Sequence, residues 1–419
     1  MRRVELVMLL AVFLLPLALT PQQAHGYDES PTVERLVLAY YFPWYDWSSV
    51  NLANVKDHPV NPHQVRWSSA EWHERELVDM IDAEIDVALV TYWGASFPWS
   101  LNGLQYLIEA EDKLTAEGRH PPKLALDFDT NMYNYDPRVG EKERDLLSTE
   151  GKLFFYGNVR DFYSTLPRRH WALFQGRPFV WIWLSGFFSQ YDQSLFEYVY
   201  DKFLQDFGVR PYIVRESSWN HPKKIVDGKT SVDTSTLIRT DSVYTWGAAF
   251  YGTSFCDDVA QVGPGYDDRH LQGGSGHFRN REDGRFYERN LAKAISSGKN
   301  LLAIETWNEF FEGTDIAATQ EYGRKYIETT SRYSRLFKEQ AFASPFDNVY
   351  LAKSAVFLTF ADSGSEEGID LGPSAGDGLH KSTVIAKSGA IQTLRNENSD
   401  YMYLYFDVED DFIWANRYA

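Results

Sequence analysis

The stretch VALVTYWG, residues 87–94, is apolar almost throughout, with Thr91 its one small polar member. A strand with one wet face alternates apolar and polar residues; a continuous run suits a strand buried on both faces, as in a parallel sheet. Runs of the same kind recur along the chain: LVLAYYFPWY (36–45), KLALDFDT (123–130), PFVWIWLS (178–185), RPYIVRES (210–217), DSVYTWGA (241–248), the weaker VAQVGPGY (259–266) and NLLAIETWNEF (300–310). Between them, residues 69–82, 101–116, 195–207 and 287–297 carry apolar positions at helical spacing. Ser69 stands where a helix is capped. Eight strands alternating with helices predict an α/β fold, a (β/α)8 TIM barrel. A doubly wound open sheet is the competitor; strand count and length favour the barrel.

The flanks read differently. Arg2 and Arg3 precede an apolar run from Leu6 to Leu19, and Ala24-His25-Gly26 offers small residues for cleavage. That is the pattern of a secretory signal peptide over residues 1–26. The run is short for a membrane span. The barrel is expected over 27–340. Beyond Ser344-Pro345, the runs 349–360, 382–386 and 401–408 are separated by Gly- and Ser-rich turns without helical period. They predict a small C-terminal all-β, sandwich-like module over 345–419. Tyr401, Tyr403 and Tyr405 share one face of its last strand. A net charge of −18 argues against nucleic acid or an anionic membrane as partner. The single cysteine, Cys256, allows no intrachain disulfide. The expectation is a secreted, extracellular monomer with no membrane attachment once the signal is cleaved.

In a barrel of this kind the reacting groups sit at the C-terminal ends of the strands. Those ends carry Tyr45, Trp93, Asp127, Asp129, Trp183, Glu216, Tyr244, Trp246, Arg269, and the series Trp307-Asn308-Glu309-Phe310-Phe311-Glu312. Carboxylates interleaved with Trp and Tyr suit a carbohydrate site: rings stack on sugar faces, and acids bind hydroxyls and move protons. Glu309 and Glu312 are three residues apart. On a helical or turn-like segment that spacing brings the two side chains to one side, with Cβ atoms ~5–6 Å apart. Retaining glycosidases hold their carboxyls about 5–5.5 Å apart. Two close carboxyls do not ionise equally, so one keeps its proton and can act as acid. An acidic first turn of a solvated helix has the same spacing, but does not usually carry three large aromatics. Asp127 and Asp129 share a strand face if the strand stays regular. His73 is expected on a solvated helix face rather than at a metal. No zinc spacing, phosphate-cradling Gly loop or GxSxG is present, so no metal or organic cofactor is expected.

WNEFFEGTDI, 307–316, resembles the W/F-N-E-W-x-E-G-T-x-I segment of glycoside hydrolase family 99 and its family 71-like, WbsX-type and uncharacterised secreted relatives. AYYFPWYDW (39–47), IDAEIDVALVTYWGA (81–95) and DSVYTWGA (241–248) are similar to that family's first, second and sixth strands. The likeness spans roughly residues 36–335. It implies that Glu309 acts as base on the sugar 2-hydroxyl and Glu312 as acid, then base, at the leaving oxygen. It implies substrate contacts from Asn308, from Tyr41 or Tyr45, and from Tyr244 or Trp246. Phe310-Phe311 stands where Trp-His is usual, and residues 262–273 are closer to the uncharacterised relatives. Those departures bear on mannan specificity and leave the pair intact.

The sequence therefore points to a secreted, retaining glycoside hydrolase acting on a poly- or oligosaccharide. Glu309 and Glu312 are its expected catalytic residues. Asn308, Tyr41, Tyr45, Trp93, Asp127, Trp183, Tyr244, Trp246, Arg269 and Trp307 are its expected substrate contacts. The alternative is a non-catalytic glycan-binding protein on a degenerate barrel.

Overall fold

The computed structural model describes residues 34–48, 54–271, 273–274 and 276–339, and four short strands beyond them. Eight parallel strands form the sheet. They are β1 (Leu36–Tyr41), β2 (Val87–Tyr92), β3 (Lys123–Phe128), β4 (Arg177–Ile182), β5 (Tyr212–Glu216), β6 (Ser242–Tyr244), β7 (Val259–Val262) and β8 (Leu301–Ile304). The pairing order is β7-β8-β1-β2-β3-β4-β5-β6. Register is regular: Leu38 faces Val87, Val87 faces Lys123, and Leu36 faces Leu301. The result is a nearly closed barrel. Its seam lies between β6 and β7, where Ser254–Cys256 pairs antiparallel with β7 and Ser254 Oγ donates to the Thr245 carbonyl at 3.2 Å.

Strand alternation divides the side chains between barrel interior and helical shell. All six residues of β2 are buried. Tyr40 points inward, where its hydroxyl accepts from Trp181 Nε1 at 2.8 Å and Gln261 Nε2 at 3.1 Å. Its neighbour Tyr41 points outward against Trp72 and His73. The main shell helices are α1 (Ala70–Asp82), α2 (Pro98–Ala116), α3 (Thr149–Thr165), α4 (Gln193–Phe207), α5 (Arg285–Ser296) and α6 (Lys325–Lys338). Their starts follow capping chemistry. Ser69 Oγ accepts from Trp72 N–H at 3.4 Å and Ser148 Oγ from Gly151 N–H at 2.9 Å. Helix α4 stops at Gly208, whose φ of 72° supplies the left-handed turn.

Three features differ from the sequence expectation. Helix α2 begins at Pro98, three residues before its apolar period, because proline fits the first helical turn. Helices α3 and α6 lie in stretches where no helix was expected. Strands β6, β7 and β8 are shorter than their apolar runs. In β8 the ladder ends at Ile304, and the rest of that run folds into the loop described below. The expected signal segment lies outside the described residues. So does most of the expected C-terminal module, including Tyr401, Tyr403 and Tyr405. There, Phe357–Leu358 pairs antiparallel with Glu366–Glu367, and Ile369–Leu371 with Phe406–Val408. No helix among the described residues is long and apolar enough to cross a membrane.

Candidate active site

After β8 the chain makes a closed loop from Thr306 to Ile316. Thr306 N–H donates to the Thr314 carbonyl at 2.8 Å, and Ile316 N–H returns to the Thr306 carbonyl at 3.1 Å. Thr306 Oγ1 accepts from Glu309 N–H at 2.9 Å and touches Thr314 Oγ1 at 3.1 Å. The segment carrying Glu309 and Glu312 is thus a turn, not a helix. Gly313 makes the turn possible: its φ is +57°, and a Cβ there would sit 2.8 Å from Lys56 Cγ.

Glu309 is 6% exposed. Its Oε1 accepts from Tyr45 Oη at 2.9 Å and from Phe311 N–H at 3.1 Å. Burial first, and the nearby Glu312 carboxylate second, push its carboxyl up to about 8. The Tyr45 ring stacks on Phe311, centroids 5.4 Å apart, and meets the edge of Phe310 at 5.1 Å. Rings therefore fill the space behind the acid and keep water from it. Glu312 is half-buried. Burial raises it to about 7; the Tyr266 hydroxyl pulls down and Asp268 pushes up. Its carboxyl opens on a cavity of about 150 Å³, walled by Trp246, Phe250, Tyr251, Tyr266 and His277 among others. A larger hollow of about 400 Å³ lies on the outer face of α1, against Glu71, Arg75 and Asp79, and no strand end reaches it.

The same cavity has a carboxyl that the sequence reading passed over. Glu305, 1% exposed, directly follows β8, four residues before Glu309. It accepts from Gly247 N–H at 3.0 Å, from Ala249 N–H at 3.1 Å and from Gln261 Nε2. Burial raises it to about 7 against those donors. The signal available was position alone, since Glu305 stands where the other strand ends carry site residues. Glu305 holds the turn after β6, whose residues form one wall of the cavity. Gly263 lets that wall close in, because a Cβ there would lie 2.5 Å from Ala249 Cα.

The expected contacts fall into two groups. Trp246 lines the cavity, and Trp183 meets it edge-on at 6.1 Å. Trp93 is half-buried; its indole N–H donates to Asp129 Oδ2 at 2.6 Å, and Tyr135 stacks on its ring. Asp127 and Asp129 part company because β3 ends at Phe128. Asp127 turns into the barrel, bound by Thr91 Oγ1 at 3.0 Å, while Asp129 caps Asn131. Asp129 still adds to the field that raises Glu309. Tyr244 is fully buried against Trp181, and its hydroxyl lacks a hydrogen-bond partner. Arg269 is exposed and forked onto Asp267 at 2.8 and 2.9 Å.

The second group is committed elsewhere. Tyr41 gives its hydroxyl to His73 Nδ1 at 2.7 Å, outside the barrel, which leaves Tyr45 as the tyrosine at the acid pair. His73 is buried rather than solvated, since its Nε2 donates to the Trp67 carbonyl at 2.9 Å. Trp307 is fully buried and donates to Glu76 Oε2 at 2.6 Å. Asn308 spends its amide on the main chain of Phe42. Tyr41, Trp307 and Asn308 thus bond to the scaffold behind the site. Among the described residues no group of three or more His, Cys, Asp or Glu is placed to hold a metal ion.

Comparison with known proteins agrees with this architecture. The family described as a domain of unknown function (DUF5010) matches residues 28–344. A glycoprotein endo-alpha-1,2-mannosidase-like protein of Danio rerio is 35% identical over 94 residues, 18% of this chain and 21% of that protein. The glycoprotein endo-alpha-1,2-mannosidase of Mus musculus is 33% identical over 94 residues, 18% and 20% of the two chains. The match thus spans about a fifth of those relatives' length. The solved GH99 endo-alpha-mannosidase of Bacteroides thetaiotaomicron aligns over 74% of this chain and 100% of its own, with TM-score 0.52 and 16% identity. A glycoside hydrolase-like protein aligns over 72% and 94%, with TM-score 0.51 and 12% identity. At these identities the structural likeness is one of fold.

Proposed function

The chain belongs to the family described as a domain of unknown function (DUF5010), and from that premise we propose that it is a secreted, endo-acting glycoside hydrolase that works with retention through Glu309 and Glu312. One observation carries the proposal: two carboxyls raised by burial, Glu309 also by Glu312 and Glu312 also by Asp268, stand at the C-terminal mouth of a nearly closed barrel beside an aromatic-walled cavity. The matched relatives named as endo-mannosidases add support, and the Glu-x-x-Glu turn carries the roles that the family 99 resemblance implies.

In the proposed reaction Glu309 removes the proton from the sugar 2-hydroxyl, and that oxygen attacks C1 from the face opposite the leaving group. Glu312 gives its proton to the departing glycosidic oxygen. A water then loses its proton to Glu312 and adds to C1, breaking the C1–O2 bond of the 1,2-anhydro sugar, while O2 takes back the proton held by Glu309. Two inversions give retention. Burial raises both carboxyls and does not by itself divide the two roles between them. Geometry supports the division proposed: Glu312 faces the cavity, and Glu309 is held by Tyr45. Trp246, Trp183 and Tyr266 would meet the sugar faces, and the C-terminal strands would form an accessory β-module.

The test is reducing-end release by the purified protein across a panel of neutral, amino and acidic glycans, beside the E309Q and E312Q variants. Turnover that either variant abolishes without loss of folding supports the proposal. Glycan binding with no release of reducing ends would favour the non-catalytic alternative.

A further inference from the structure

Behind the Glu309–Glu312 turn lies a buried charged group that the proposed chemistry does not use. Arg281 is buried, 7% exposed. Its NH2 donates to Asp57 Oδ2 at 2.9 Å and to the Gly313 carbonyl at 3.0 Å, and its NH1 to the Asp315 carbonyl at 2.8 Å. The guanidinium lies 4.5 Å over the Tyr322 ring and 4.6 Å over Tyr326. Its two main-chain acceptors follow Glu312 directly, on either side of Thr314. The same turn is held at Phe310, whose carbonyl accepts from Lys56 N–H at 2.7 Å, and at Glu312, whose carbonyl accepts from Asp267 N–H at 2.8 Å.

A buried guanidinium needs counter-charge and filled donors. Here it has two acids, and they are not equivalent. Asp57 takes a direct hydrogen bond on Oδ2 while its Oδ1 has none, and neither oxygen of the Asp315 carboxyl takes one from the guanidinium. The nearer Asp315 oxygen lies 3.4 Å from Arg281, and the carboxyl faces that of Asp57. Two buried carboxyls that meet, each with an oxygen left over, are satisfied when a proton lies between them. With that proton the triad is electrically neutral, which is what full burial requires.

We infer that Arg281 is the positioning residue for Glu312, and that Asp57 and a proton-carrying Asp315 balance its charge behind the turn. The groups facing Glu312 itself are Tyr266, Asp268 and Glu309, with Glu305 and His277 on the same cavity. Beside the main-chain bond from Thr314 N–H to the Glu309 carbonyl, the stretch that follows Glu312 is held by two side-chain bonds from Arg281, to the Gly313 and Asp315 carbonyls. The inference rests on the reading of Glu312 as the acid at the leaving oxygen.

The experiment uses the full chain and the variants R281K, D57N and D315N, with folding checked by thermal unfolding. Glu312 is titrated by infrared difference against E312Q, and kcat and KM are measured on whichever glycan the wild type cleaves. Lysine keeps the charge but cannot reach both carbonyls and Asp57 in one plane. R281K is expected to lose about 100-fold in kcat, the cost of a misplaced reacting group, with little change in KM. Its Glu312 titration should fall from about 7 toward the ordinary carboxylate range as the side chain moves into water. D315N should keep both, because an amide donates where the protonated acid did. A folded R281K with unchanged kcat and unchanged Glu312 titration would overturn the inference. D315N losing as much as R281K would overturn the shared proton. If R281K does not fold, D57N decides by the same two readouts. A wild type that cleaves nothing removes the hydrolase reading, while the Glu312 titration still tests the positioning.

Discussion

The amide of Asn308 pairs with the main chain of Phe42 at both ends, its Oδ1 accepting from Phe42 N–H at 2.8 Å and its Nδ2 donating to the Phe42 carbonyl at 2.9 Å. Asn308 thereby extends the β8–β1 contact by one side-chain rung, just where both strands stop. Lys56 N–H and Trp307 N–H add bonds across the same joint, at 2.7 Å to the Phe310 carbonyl and 2.8 Å to the Tyr40 carbonyl. The asparagine of the acid-pair segment is therefore a splice between strand ends.

N308A should strip two buried main-chain groups of their partners. Each unsatisfied group costs about 1–3 kcal/mol, so the loss should be about 2–6 kcal/mol in urea unfolding. Activity at low temperature, where the variant still folds, should suffer mainly in kcat through a displaced Glu309. A variant of wild-type stability whose KM alone rises would return Asn308 to the substrate.

Y45F removes the hydroxyl that donates to Glu309 and accepts from Phe310 N–H. The Tyr45 bond holds the carboxyl down against burial. Without it, Glu309 should take its proton at still higher pH, so less of it is ready as base at neutral pH. The acid limb of the kcat/KM profile should move to higher pH, and kcat should fall about 10- to 100-fold. An unmoved limb would mean that Tyr45 serves packing alone.

The raised pair also makes a stability prediction with a definite sign. Unfolded glutamates ionise near pH 4.3, whereas Glu309 and Glu312 hold their protons to about 8 and 7. Between those limits the folded chain binds more protons than the unfolded chain, so stability falls as pH rises. Below about pH 4.3 both states are protonated and the penalty vanishes. E312Q should therefore raise Tm at pH 8 and leave it nearly unchanged at pH 4. The reverse order would show that Glu312 is not held in a buried, high-pKa setting.

The barrel was legible because both-face burial writes continuous apolar runs, and runs such as 87–92 became strands. Helices α3 and α6 were not, since their buried sides mix Tyr, Ser, Thr and Asn with the apolar residues. At the site, residue spacing found Glu309 and Glu312, because i and i+3 meet on a turn as they do on a helix. Spacing could not say which of two adjacent residues faces inward. Tyr40 enters the barrel and Tyr41 leaves it; Glu309 faces the mouth while Trp307 turns to α1. That choice depends on where β8 ends, and its end at Ile304 is set by the bonds of the Thr306–Ile316 loop rather than by composition. The Arg281 triad joins residues 57, 281 and 315, too far apart in sequence for any local pattern to connect.

Glu305 offers the last test, because it separates the wall of the cavity from the acids that react. Its carboxylate gathers N–H groups of Gly247 and Ala249 together with the Gln261 amide. E305Q replaces one acceptor oxygen by an NH2 that must face other donors. The turn after β6 should loosen, and Trp246 and Tyr251 with it. The Glu309–Glu312 turn keeps its own bonds to Thr306, Tyr45 and Arg281. KM should then rise about tenfold, the worth of one hydrogen bond of about 1.4 kcal/mol, with kcat nearly kept. Protease cleavage within 247–253 should quicken in the same variant. If kcat collapses instead while KM stays put, Glu305 belongs with the reacting acids and not with the wall.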